Sequence, residues 1–224
     1  MADRPPVALE DRGESGDGRR YSPSAARNRE PILRVLKPRL PQPARLLEIA
    51  SGTGEHGAFL SAEMEGIDWT YSDIDEDSLA SQRAWQAMDK TGRLRGPLTL
   101  DASADEWGEA ELAGEWDAIF SANMIHIAPL AAAEGLIAGA GRLLRPGGLL
   151  ILYGPFARGG EIAPSNAAFD QSLKARNPSW GVRDLDSELR PIAHKAGLEL
   201  HDLVDMPANN LTVFFRKTVQ EPDD

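Results

Sequence analysis

Short apolar runs alternate with helix-patterned segments along most of this chain, and that alternation predicts a parallel β-sheet with crossover helices. A first helix is expected from Ser22 to Leu40. Ser22 suits an N-cap, and Ile32, Leu33, Leu36 and Leu40 recur at helical spacing. ARLLEIA (Ala44 to Ala50) reads as a strand that breaks at SGTGEHG, before a helix (GAFLSAEM) and a second strand (IDWTYSDID). A polar helix, a third strand (GPLTLDA), a fourth strand ending near Asn123, an alanine-rich helix and a fifth strand (LLILYGPF) continue the rhythm. Residues 157–183 interrupt it with a polar stretch rich in Gly, Asn and Pro, which reads as an insertion covering a substrate. DLDSELRPIAHKAG then resumes as a helix. The last two runs, LELHDLVDM and LTVFFRK, are separated only by PANN, so they must pair antiparallel. The expected fold class is α/β, with a seven-stranded, mostly parallel sheet that ends in a C-terminal antiparallel hairpin.

A chain of 224 residues is long enough for one such domain, placed here at 21–217. Residues 1–20 mix both charge signs with Pro and Gly, as in a disordered tail and unlike a secretory or organellar leader. Residues 218–224 read as a short acidic tail. The net charge of -11 opposes nucleic-acid binding, which needs clustered Lys and Arg. No apolar run approaches the ~20 residues of a membrane span, so a cytoplasmic protein with no membrane partner is expected. There are no cysteines, and His56, His126, His194 and His201 have no short ligand spacing, so no metal site is expected. Monomer and homodimer are both compatible with the sequence.

Gly52-Thr53-Gly54-Glu55-His56-Gly57 matches G-x-G-x-x-G between a strand and a helix. Its glycines let the backbone approach a ligand, and the helix start offers unpaired N–H groups. Asp73, 21 residues beyond Gly52, is placed to accept both ribose hydroxyls of an adenosine. These features alone suit NAD and S-adenosylmethionine equally. Three others separate them. Glu48 lies inside the first strand, where an acid is costly without a task; Asp101 ends the third strand; and the closing hairpin departs from a dinucleotide fold. Acids plus a backbone turn suit a sulfonium and an ammonium group better than a pyrophosphate.

LLEIASGTGEH resembles motif I of class I S-adenosylmethionine-dependent methyltransferases, with Ala50 replacing its usual first glycine. SDIDEDSL resembles the segment after their second strand, and LLRPGGLLIL their approach to the fifth. SPSAARNREPIL, LEIASGTGEH, SANMIHIAP, YGPF, SNAAFD, NPSWGVRD and MPANNL are similar to a methyltransferase-like family designated domain of unknown function nine-three-eight. The resemblance implies a Rossmann-like class I methyltransferase fold, S-adenosylmethionine as methyl donor and S-adenosylhomocysteine as product. It implies that Asp73 binds the ribose, Ile74 packs on the adenine, and Asp101 with the Ala102 backbone reads the adenine edge. The turn from Ala50 through Gly52 to Gly54 would cradle the methionyl part, with Glu48 supporting the turn or the amine. Asn123 would offer its carbonyl to that amine, and Arg27 could pair with the donor carboxylate. The acceptor is expected to be a small molecule. His126, three residues past Asn123, is the candidate general base. Tyr153, Phe156, Asn166, Asp170, Trp180, Arg183, Asn209 and Asn210 are candidates to line the acceptor site.

Overall fold

The structure is a computed structural model that describes residues 13–219. Seven strands form the central sheet: β1 (Ala44–Glu48), β2 (Ile67–Asp73), β3 (Leu94–Thr99), β4 (Trp116–Ala122), β5 (Leu144–Ala157), β6 (Leu198–Met206) and β7 (Asn210–Lys217). Their spatial order is β3-β2-β1-β4-β5-β7-β6. The first five pair in parallel, and β7 runs antiparallel between β5 and β6. The hairpin expected from the four-residue PANN link is therefore present, with β7 inserted into the sheet. A two-residue strand, Arg183–Asp184, adds to the end of β5 in parallel.

The helices are α1 (Pro23–Leu36), α2 (Glu55–Glu63), α3 (Glu76–Ala87), α4 (Glu109–Leu112), α5 (Leu130–Leu143), α6 (Pro164–Arg176) and α7 (Arg190–Lys195). Ser22 caps α1 by accepting the Ala25 N–H. α1 ends at Leu36, before the expected Leu40, just ahead of Pro38. Apolar residues of α1 and α2 pack on one sheet face with Trp69, Phe120 and Tyr153, and Trp85 of α3 joins them. α4, α5 and α7 cover the other face, around Ile119, Leu150 and Phe215. Phe214 and Phe215 on β7 are both fully buried, one in each layer.

The interruption at 157–183 contains a helix that the sequence reading did not assign: α6 occupies its middle, and Pro164 starts it at the first helical positions, where its missing N–H costs nothing. Its apolar residues are too few to announce a helix by periodicity, and only Asn166 and Leu173 are buried. The segment 185–195 begins as a single π turn, Leu185–Leu189, and becomes α-helical only where Pro191 lies in the first turn. Within the stretch read as a disordered tail, Gly13–Glu14 and Arg20–Tyr21 pair as an antiparallel ribbon. Trp85 anchors it: the indole donates to the Arg20 carbonyl and meets Tyr21 edge-on at 5.3 Å. The remaining tail residues, 1–12 and 220–224, lie outside the described residues.

Candidate functional site

The carboxyl ends of β1, β2 and β4 converge on the glycine turn. Ala50, Gly52 and Gly54 have φ of +56°, +56° and +82°, so the chain alternates through left-handed conformations. Glycine takes these angles freely; Ala50 does so at a steric cost of about 1–2 kcal/mol. Three side chains hold the turn from behind. Gln82 donates to the Gly52 carbonyl at 2.9 Å, Ser81 to Thr53 at 2.7 Å and Tyr71 to Gly54 at 2.6 Å. Each peptide N–H points opposite to its C=O, so the N–H groups of Thr53 and Glu55 face away from these holders. Gly57 lets α2 press on the sheet: a Cβ there would lie 2.3 Å from the Tyr71 ring and 2.6 Å from Trp69 Nε1.

Asp73 ends β2 beside this turn. Its Oδ2 accepts the Gly52 N–H at 2.9 Å, and its Oδ1 accepts from Ile74 at 2.8 Å and Asp75 at 3.1 Å. Burial raises its pKa above the usual value, while these N–H groups pull it back. Oδ2, with a single N–H partner, retains a lone pair for a hydroxyl donor, whereas Oδ1 already accepts two. The next side chain, Ile74, is 41% exposed, an apolar surface at the lip of a polar turn. Asp101 ends the neighbouring edge, where Oδ1 accepts from the Ser103 N–H and hydroxyl, and Ala102 is buried. Asn123 follows β4 at φ +62°; its N–H bonds Tyr153 and its carbonyl accepts the His126 N–H at 3.1 Å.

Glu48 is 1% exposed and accepts the Trp69 indole N–H at 2.8 Å. Burial pushes its pKa up to about 8, so it is protonated at neutral pH. Its backbone carbonyl takes the Ser51 and Ser72 hydroxyls, which join β1 to the turn and β2.

His126 does not present an accessible base. It is fully buried, Nδ1 accepts the Arg183 N–H at 3.3 Å, and the ring meets Phe156 edge-on at 5.0 Å. Burial, reinforced by the Arg183 charge, draws its pKa down to about 3. Arg183 is structural too: its guanidinium donates to the carbonyls of Ile125, Ala128 and Ser179. Arg27 is exposed on α1, with one long contact to Ser24 at 3.4 Å and no ion pair among the described residues.

Composition and spacing gave no sign of the contacts that fasten α1 to the turn. Glu55, 3% exposed, accepts the Ser22 N–H at 3.0 Å and Arg29 Nη1 at 3.1 Å. Asn28 Oδ1 lies 2.6 Å from His56 Nε2, and Asn28 also bonds the Tyr153 hydroxyl. Glu55 and His56 are the first two residues of α2, so the glycine turn and α1 share one anchor. The segment 157–183 lies at the same sheet edge: Gly181 donates to the His126 carbonyl, and Asn166 donates to Asn209 in the β6–β7 turn. A separate surface depression of about 320 Å³, lined by Arg190, His194 and Glu199 among others, shares no residue with this site.

A family model described as protein of unknown function (DUF938) matches residues 19–217. The chain belongs to this family. Solved structures share the fold of this DUF938 chain. The apo form of SibL, an S-adenosylmethionine-dependent methyltransferase, has TM-score 0.71 at 16% identity, covering 88% of this chain and 56% of its own. Human N-acetylserotonin methyltransferase in complex with SAM gives 0.70 at 14% identity, covering 88% and 53%. An O-methyltransferase family 2 protein from Planctomyces limnophilus, in complex with apigenin, gives 0.70 at 19% identity, covering 87% and 60%. The DUF938 chain thus has the Rossmann-like fold of class I methyltransferases and spans a little over half the length of these proteins. Among the described residues, no group of His, Asp and Glu could hold a metal ion, and no helix is long and apolar enough to cross a membrane.

The buried groups give this DUF938 chain a defined pH profile. Glu48 ionises near 4.5 when unfolded and about 8 when folded, so its stabilising contribution is complete below 4.5 and lost as pH rises through 8. His56 and His126 ionise near 6.5 unfolded and about 4 and 3 folded, so their contribution is complete above 6.5 and lost as pH falls through those values. Thermal unfolding across pH 4–9 is expected to give a maximum Tm near 6.5. Glu48→Gln, which keeps an acceptor for Trp69, should flatten the alkaline limb. An unchanged limb in that variant would show that Glu48 is ionised in the folded protein.

Proposed function

We propose that this chain is an S-adenosylmethionine-dependent methyltransferase that acts on a small-molecule acceptor by in-line transfer. The observation that carries the reading is the junction of Asp73 with the Gly52 N–H, beside the exposed Ile74, at the carboxyl edge of a sheet with an antiparallel seventh strand. Ligands of open α/β sheets collect at that edge. Asp73 would take the ribose hydroxyls, Ile74 one adenine face, and Asp101 with the Ala102 backbone the adenine edge. The turn from Ala50 to Gly54 and the Asn123 carbonyl would hold the methionyl end, with Arg27 within the same cleft for its carboxylate. The bound cofactor supplies an electrophilic methyl group. The chain supplies alignment, which is worth on the order of 7–11 kcal/mol, and exclusion of water by α1 and the 157–183 segment. Glu48, whose pKa burial raises, and the buried His126 are not themselves poised as bases.

Calorimetry with S-adenosylmethionine, S-adenosylhomocysteine and NAD tests the cofactor. Micromolar binding of S-adenosylhomocysteine, about -8 kcal/mol, and no heat with NAD are expected; the reverse would overturn the reading. A second reading, a binding protein without turnover, draws on Ala50, whose left-handed backbone sits where a glycine is easier. Transfer of a tritiated methyl group to a metabolite extract separates the two.

A further inference from the structure

At the carboxyl edge of β4 and β5 one buried donor has nothing to bond. Because His126 Nδ1 accepts the Arg183 N–H, the neutral ring carries its proton on Nε2. That atom is buried and has no hydrogen-bond partner among the described residues. An unpaired buried N–H is unfavourable and uncommon, so its persistence calls for a function. The ring cannot swing away: it is clamped edge-on by Phe156, by the Arg183 N–H, and by Gly181 on its own carbonyl. Both groups pack against the bare backbone of residue 154: a Cβ there would lie 2.6 Å from Nε2 and 3.2 Å from Asn123 Oδ1, so the two atoms face the same side of Gly154. Asn123 is half-buried, and its side chain makes no hydrogen bond among the described residues.

We propose that His126 is a positioning residue: its fixed Nε2–H takes the Asn123 side-chain oxygen when the cleft is filled, and so aims the Asn123 amide N–H₂ at a lone pair of the bound molecule. The group recognised is an oxygen or ring nitrogen that accepts a hydrogen bond. His126 then acts as a permanent neutral donor, and its burial becomes a requirement of the role, because a charged or mobile ring could not fix one amide orientation. Gly154 lets the His126 ring and the Asn123 oxygen approach the same stretch of backbone, where any side chain would collide with both. The inference rests on the cofactor reading above, since S-adenosylhomocysteine is the probe that fills the cleft.

The test is nitrogen-15 NMR of the histidine side chains, in the free protein and with saturating S-adenosylhomocysteine, alongside calorimetry. In the free protein, His126 should be in the Nε2–H form at pH 7; the Nδ1–H form would overturn the proposal at once. On binding, the Nε2–H proton should move downfield as it gains a partner. Binding by calorimetry with an unmoved His126 resonance would defeat the proposal while leaving the cofactor reading intact; no binding would defeat both. Affinities give a second readout. Asn123→Ala and His126→Phe should each weaken S-adenosylhomocysteine about tenfold, roughly one hydrogen bond, and the double variant should be no worse than either. His126→Gln, which keeps a side-chain N–H donor, should restore most of the loss. Additive losses, or equal losses in His126→Gln and His126→Phe, would mean His126 does not act through Asn123. Should His126→Phe fail to fold, the wild-type spectra and His126→Gln still decide the matter.

Discussion

Asp73→Ala is expected to weaken S-adenosylhomocysteine binding by roughly 10²–10⁴-fold, the loss of two charge-assisted hydrogen bonds of about 1.5–3 kcal/mol each. The same carboxylate also ties down the Gly52, Ile74 and Asp75 N–H groups, so the variant should loosen the turn in the free protein. Asp73→Asn separates the two effects. Its remaining oxygen can still accept the Ile74 and Asp75 N–H groups, but its NH2 would face the Gly52 N–H, so it should lose less stability than Asp73→Ala while giving up the whole charge on the ligand. Calorimetry and thermal unfolding on the three proteins provide the comparison. Parental affinity in Asp73→Ala would remove Asp73 from the site and with it the proposed placement of the ribose.

Gly57→Ala should be a strongly damaging methyl addition beside the glycine turn. On an ordinary helix, glycine to alanine gains up to about 1 kcal/mol in propensity. Here the new Cβ would sit 2.3 Å from Tyr71 and 2.6 Å from Trp69 Nε1, inside two rings that are themselves fully buried. Moving Trp69 strips the Glu48 carboxyl of its partner, and moving Tyr71 frees the Gly54 carbonyl. Overpacking and two unpaired buried groups together should cost about 3–5 kcal/mol. Urea unfolding measures it; a loss below about 1 kcal/mol would mean that the helix–sheet contact yields easily and that the turn does not depend on it.

The order of strands and the closing hairpin were legible because they rest on periodicity and on one short link, PANN, both local properties. Asp73 was legible because its distance from the turn follows from the length of one βαβ unit. What stayed hidden was pairwise and long-range. Gln82, Ser81 and Tyr71 look like ordinary residues of a polar helix and a strand until the fold brings them behind the turn. α6 escaped notice because it buries little apolar surface. Glu48 and His126 were read for their chemical type, whereas burial, which the sequence does not state, determines their charge. Six of the seven stretches that carried the resemblance are joined in pairs by the fold. SPSAARNREPIL is tied to GTGEH through Asn28 and Arg29, NPSWGVRD to SANMIHIAP through Gly181 and Arg183, and SNAAFD to MPANNL through Asn166. Each member of a pair is unremarkable alone, and the contact between them is the reason for both.

The position of β7 sets a timetable for making the protein. β7 lies between β5 and β6 in space but follows both in the chain. As the polypeptide leaves the ribosome, amino-terminal segments are available first, so β1 to β5 can assemble while the flank of β5 from Leu149 to Pro155 still waits for its partner. An open strand flank is a template for pairing with other chains, and this one remains open until Asn210–Lys217 has emerged. The sheet therefore closes in a single late step, when Phe214 and Phe215 fill both layers at once. A stop just before Asn210 would leave the flank of β5 from Leu149 to Pro155 without its partner strand.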